Sequence, residues 1–387
     1  MRKRIERMIE KNWNDVRGVL LRKYPDFVVS DRANHLVDIP VFVFHDVIAA
    51  MLEPMLQFLA DNQYMTLTAD EYVERHAHGK RAWEREVLLT FDDGHKSLYT
   101  VAYPALNRYG LKAVAYIVPG MTPEGDGLDS SNLSERSLCS WKEIEEMHKS
   151  GTLDIQSHSM YHHSIPISER LIDFVRPNID LSFLNSDLAP LIRRVHDSQS
   201  QEAAYGTPIY DWGSRFSATP AFCESPAVAI TCRRYVKKHG GVEYFRLPDW
   251  RRRLKRIWGE TRGRYPEARF EVGTEQRDAI LEDFLESKRE IERRLPEKRV
   301  RHFCYPWFRG SRLAVELSAE AGYVSNAWAS LLPSFAQNFS PPIAIPRLSP
   351  PYIWRLPGKE RKSIGEVLRE RFFQFYDRRR IDLSSAG

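Results

Sequence analysis

Short apolar runs alternate with helix-length segments through the first half of the chain, and that alternation restricts the fold more than any other feature. Residues 38–47 (DIPVFVFHDV), 87–91 (VLLTF), 112–118 (KAVAYIV) and 153–157 (LDIQS) read as strands, the first three apolar enough to be buried on both faces. Between them, residues 49–60, 97–109 and 140–150 have helical spacing, with Ser140 suited to cap the last of these and Gly151 to end it. Parallel strands need a long crossover, and a helix supplies it, so this rhythm predicts parallel β/α units. The rhythm returns later with a charged helix at 276–294, a strand at 300–305, a helix at 311–321, a short strand at 323–328 and a Pro-rich strand region at 341–349.

In parallel β/α folds, chemistry collects where the strands end. Three of the runs end in ionisable residues: His45, Asp92-Asp93 and His158. Adjacent carboxylates resist joint ionisation. A bound cation removes the conflict, with one carboxylate as ligand and the other left as a base, and Gly94 lets the backbone turn tightly beside them. His158-Ser-Met-Tyr-His162 follows another strand, with His163 next in line. Imidazole is the commonest metal ligand. Asp93, His158 and His162 therefore make an open two-His-one-carboxylate set with room for water, and spacing alone leaves His163 as an alternative to His162.

TFDDG at 90–94 followed by SHSMYHH at 157–163 resembles the polysaccharide deacetylase family, also known as the NodB homology domain or carbohydrate esterase family 4. The resemblance implies a distorted (β/α) barrel, with Asp92 as the catalytic base and Asp93, His158 and His162 as ligands to one divalent ion. Zinc is the expected ion; cobalt, nickel and iron are the alternatives. FCYPWFRG at 303–310 is similar to a third family motif and implies an oxyanion and substrate role for Tyr305, Trp307 and Arg309, with Trp307 offering its backbone N–H. The family's general-acid His belongs to a late strand, whereas VFVFHDV occurs early and gives His45. This order resembles the circularly permuted subgroup typified by poly-N-acetylglucosamine deacetylases. For the arginine that tethers the base, Arg309 and Arg347 are both candidates. Asp211-Trp212 resembles a further family motif only faintly and is read as coincidence.

The implied activity is metal-assisted hydrolysis of an N-acyl group, above all N-acetyl, on an amino sugar in a glycan or its activated precursor. Two alternatives are a hydrolase of non-sugar amides such as formamides or cyclic ureides, and a catalytically silent glycan-binding module. Three regions are expected: a helical extension at 1–37, a barrel at 38–350 interrupted by an insertion at 165–275, and a helical tail at 351–387. The insertion is rich in Pro, Ser, Arg and aromatics; Tyr205, Tyr210, Trp212 and Phe216 in it are read chiefly as core.

The net charge of +5 is mild over 387 residues, with basic stretches at residues 2–7, 251–256 and 378–380 that read as solvated helix faces. Contact with a membrane surface or with a lipid- or nucleotide-linked sugar is the lesser expectation, and no nucleic-acid motif is present. Four cysteines, none in a CxxC pair, are expected as free thiols. The N-terminal residues lack a continuous apolar segment with a small-residue cleavage site, and no apolar run approaches the roughly 20 residues of a membrane span, so a cytoplasmic location is expected.

Overall fold

The computed structural model describes residues 18–19, 21, 23–32, 36–77, 85–125, 138–162, 164–177, 179 and 204–370. Most of the expected N-terminal helix, His163 and the latter half of the expected C-terminal helix lie outside these residues. Among the described residues, no helix is long and apolar enough to cross a membrane.

The first half of the chain builds β1 (Val41–Phe44), α1 (Ala49–Asp61), β2 (Met65–Thr66), α2 (Ala69–Ala77), β3 (Glu86–Asp93), α3 (Tyr103–Tyr109), β4 (Ala113–Ile117), α4 (Trp141–Lys149) and β5 (Leu153–Ser157). A π-helical turn at Leu98–Ala102 runs into α3, so the expected helix at 97–109 is wound differently in its first turn. Ser140 does cap α4. Its hydroxyl accepts from Glu143 N–H while Glu143 Oε2 accepts from Ser140 N–H, the reciprocal pair of a capping box.

The stretch after β5 breaks the rhythm as expected, but it is not irregular. It forms a long antiparallel hairpin, β6 (Ser164–Phe174) and β7 (Pro208–Ser214), then β8 (Phe222–Cys223), α5 (Pro226–Lys238), α6 (Trp250–Arg264) and β9 (Arg269–Phe270). Phe174, Ile209, Cys232, Val236, Tyr244 and Leu254 bury themselves together, giving the insertion a core of its own. The chain then returns through α7 (Gly273–Arg294), β10 (His302–Cys304), α8 (Arg312–Glu320), β11 (Ser325–Ala327) and β12 (Ile343–Ile345).

The main sheet runs β1-β3-β4-β5-β10-β11-β12, with β2 beside β3, and these pairings are parallel. Beyond β12 the chain pairs Leu348 with Phe42 of β1: Val43 N–H donates to Leu348 O at 3.0 Å and Leu348 N–H to Val41 O at 2.7 Å. The sheet thereby returns to its first strand and forms a nearly closed (β/α) barrel. Side chains alternate along each strand. Val41, Leu88, Val114, Tyr116, Cys304, Ala327 and Ile345 pack inside, whereas Phe42, Leu89, Phe91, Ala115 and Ile155 face the helices. Asp92 has the parity of Leu88 and Thr90, so the last residue before the turn points a carboxylate into the barrel.

Candidate active site

Asp92 is almost fully buried at the end of β3. Arg347, two residues past Ile345 and of the same inward parity, meets it with both guanidinium branches: Nη1 donates to Oδ1 at 2.7 Å and Nη2 to Oδ2 at 2.8 Å. The remaining donors of Arg347 reach Thr90 Oγ1 at 3.1 Å, Trp328 O at 3.1 Å and Cys304 Sγ at 3.0 Å. Such a fork fixes the carboxylate in direction as well as charge. Burial, the largest influence, pushes the Asp92 pKa up; Arg347 and then His158 outweigh it and hold the group below its ordinary value. The arginine that holds Asp92 is Arg347, not Arg309, which is exposed. Parity decides this, since only Arg347 continues an inward-facing column.

Asp93 leaves the strand with φ +71°, followed by Gly94 at +73°, and this double left-handed turn swings its carboxylate out of the column and over the barrel mouth. There Oδ1 lies 3.3 Å from His158 Nε2 and 3.5 Å from His162 Nε2. Oδ2 lies 3.2 Å from His95 Nε2. Burial works to raise the Asp93 pKa, but the hydrogen bonds from His158 and His95 and the nearby His162 drive it well below the usual carboxylate range.

His158 follows β5, and its backbone N–H still pairs with Ile117 O of β4 at 2.8 Å. Its Nδ1 donates to Cys304 O at 2.8 Å, which fixes the ring and turns Nε2 toward Asp93 Oδ1. Burial disfavours charge on His158, yet Cys304 and Asp93 overcome it and raise the pKa well above the ordinary imidazole value. At His162 burial prevails and lowers the pKa to about 4, leaving a neutral imidazole with a lone pair to give.

Asp93, His158 and His162 form a group able to hold a metal ion. Tetrahedral ligands at about 2.0–2.1 Å from a cation stand about 3.3–3.4 Å from one another, and the two contacts at 3.3 and 3.5 Å match that edge. Both exceed the usual N–H···O length of about 2.9–3.0 Å. A second set, Asp92, His158 and Cys304, also clusters. It is less suited to a cation, because Arg347 already occupies both Asp92 oxygens.

His45, at the turn after β1, sits 3.8 Å from Asp92 Oδ2 with its side chain 41% exposed, and its ring meets Phe308 edge-on. Trp307 and Phe308 have φ of +52° and +58°, a strained turn that lays the Trp307 ring against His162 at 4.4 Å between centroids. Trp212 from the insertion hairpin lies 6.1 Å from Trp307. Of the four insertion aromatics read as core, Phe216 packs against Phe284, Phe303 and Tyr305, and Tyr205 and Tyr210 are buried, while half-buried Trp212 is at the edge of the site. The Tyr305 side chain does not face the site. It is buried beside Phe216 and Trp328, and its hydroxyl accepts from Asn326 Nδ2 at 3.1 Å.

Residues 79–176 match the family model described as polysaccharide deacetylase. That stretch is similar to a polysaccharide deacetylase domain. The match contains Asp92, Asp93, His158 and His162. Over 121 residues the chain is 27% identical to the poly-β-1,6-N-acetyl-D-glucosamine N-deacetylase of Staphylococcus aureus, covering 31% of this chain and 39% of that protein. The chain thus spans less than half the length of the curated relatives it matches. A de-N-acetylase structure from Aggregatibacter actinomycetemcomitans superposes with a TM-score of 0.48 at 18% identity, covering 80% of this chain and 94% of that one. IcaB from Ammonifex degensii gives 0.46 at 16% identity, covering 85% and 100%.

Four features at the mouth escaped the sequence reading: Cys304, His95, the choice of Arg347, and the approach of Trp212. Cys304 is one residue before Tyr305-Pro306 at a strand end, and His95 is next to Gly94, so position alone could have nominated both.

Proposed function

We propose that this chain is a metal-dependent hydrolase that removes an N-acyl group, above all N-acetyl, from an amino sugar. One observation carries the proposal: three ligand side chains converge at tetrahedral spacing beside a second carboxylate that Arg347 holds ionised and immobile. Asp93, His158 and His162 would hold a divalent ion, which when bound would supply polarisation of the acyl oxygen and a more acidic water. Zinc suits this donor set best, and cobalt, nickel and iron accept it as well.

The chain's own groups do the rest. Asp92, ionised and fixed, accepts the proton of the attacking water. The Trp307 N–H donates to the oxygen that gains negative charge, in a turn whose shape is set before substrate arrives. His45, close to Asp92 but open to solvent, gives a proton to the departing amine. The S. aureus relative is named for a poly-N-acetylglucosamine substrate, and we carry over the amino-sugar amide from it. We further propose an anionic lipid- or nucleotide-linked carrier. Supporting this, residues 226–264 hold twelve Lys and Arg against three Asp and Glu, so the insertion's helices are far more basic than the chain as a whole.

The test is acid release from a panel of N-acetylated amino sugars, N-formyl compounds and cyclic ureides. Release of acetate from the amino sugars by the wild type, and none by Asp92→Asn with its metal content unchanged, is the expected result. Near-full turnover by Asp92→Asn would overturn the mechanism, and preference for the cyclic or formyl amides would overturn the substrate class.

A further inference from the structure

The segment that brings His162 to the site is short and awkwardly bent. Ser159 and His162 both lie in the left-handed region, at φ +70° and +54°, and neither is glycine. Residues in this region cost free energy and persist only where their surroundings hold them. Within the segment, His162 N–H donates to Ser159 Oγ at 2.8 Å. From one side, Gly120 N–H donates to Met160 O at 2.8 Å, and a side chain at position 120 would run into Met160 O and the Tyr161 ring. From the other side comes α7. Asp283 Oδ1 accepts from Met160 N–H at 2.9 Å.

Asp283 sits on the buried face of α7 among Ile280, Phe284 and Ile291 and is only 6% exposed. An apolar side chain would suit that face for packing alone, and a buried carboxyl is costly unless it has a specific task. One turn along the same face, Ser287 Oγ accepts from Ser157 Oγ at 2.9 Å and itself donates to Phe284 O at 3.1 Å. Two polar residues of α7, four positions apart, therefore bracket His158 by gripping residues 157 and 160.

We propose that Asp283 is a positioning residue for the metal centre, holding the 159–162 segment so that His162 Nε2 reaches the point shared by Asp93 and His158. The proposal rests on the metal-dependent reading above. It places part of the ligand-orienting apparatus on a helix about 120 residues away in sequence. The grip is a backbone hydrogen bond, so any residue with a carbonyl oxygen at the same reach should serve.

The experiment uses full-length protein stripped of metal and titrated calorimetrically with Zn2+ alone at pH 8, for wild type, Asp283→Asn and Asp283→Leu. Thermal unfolding of each metal-free variant confirms folding, and Asp283→Ala replaces the Leu variant if that one does not fold. Asp283→Leu is expected to bind Zn2+ roughly 10- to 100-fold more weakly, with Asp283→Asn restored close to wild type. A merely structural role would give no such rescue. Equal affinity for wild type and Asp283→Leu would overturn the positioning role while leaving the metal site standing. Failure of wild type to bind Zn2+ would overturn the metal-dependent reading and this inference together.

Discussion

Adjacent Asp92 and Asp93 meet unlike partners because one φ angle separates them. Asp92 is the last inward residue of β3 and meets Arg347; Asp93 turns back at φ +71° and meets two imidazoles. The pair was legible in the sequence, since two carboxylates after an apolar strand have few comfortable surroundings. The tether was not, because Arg309 and Arg347 are equally ordinary arginines until the register of β12 is known. Removing one partner of a buried ion pair leaves an uncompensated charge. Arg347→Leu is therefore expected to lower stability by about 3–5 kcal/mol in denaturant titrations, and an unchanged midpoint would contradict the pairing. His45→Ala leaves all the groups around Asp93 in place and is expected to lower kcat by roughly 10²–10⁴-fold with metal content retained. Steady-state rates with a matched metal assay check this.

The strands that carry candidate site residues place them at their final residue or just beyond, so the elements matter as positioning devices. β3 supplies Asp92 and Asp93, β5 leads to His158, and β1 leads to His45. Periodicity exposed β1 and β3 because buried parallel strands are continuous apolar runs. It did not expose β6, whose alternation in SIPISERLIDF belongs to a partly exposed hairpin within a Pro- and Arg-rich stretch. Nor could local spacing show that α7 grips the loop after β5, since that contact joins distant segments. The Ser140 cap was a local signal that the structure matched. Ser140→Ala is expected to cost about 1 kcal/mol in chemical denaturation with activity retained.

At the scale of the whole molecule, buried charge makes stability depend on pH. Burial is the main reason that the Asp283 pKa rises to about 7; Met160 N–H and Arg215 oppose the rise and Glu286 adds to it. In the unfolded chain the group titrates at about 3.9. Between roughly pH 4 and 7 the folded state thus binds more protons, and this carboxyl's contribution to stability falls as pH rises through that window. Asp283→Asn removes that contribution, so the metal-free variant is expected to gain in unfolding temperature relative to wild type between pH 5 and pH 8. A difference that stays constant with pH would contradict the assignment.

Counting ions per chain shows whether a single cation is held by Asp93, His158 and His162. Metal-stripped wild type, dialysed against Zn2+ and analysed by elemental spectrometry, should return with one ion per chain. Asp92→Asn should match it, and His158→Ala and His162→Ala should retain well under one. Full occupancy in both histidine variants, or none in the wild type, would contradict a cation held there.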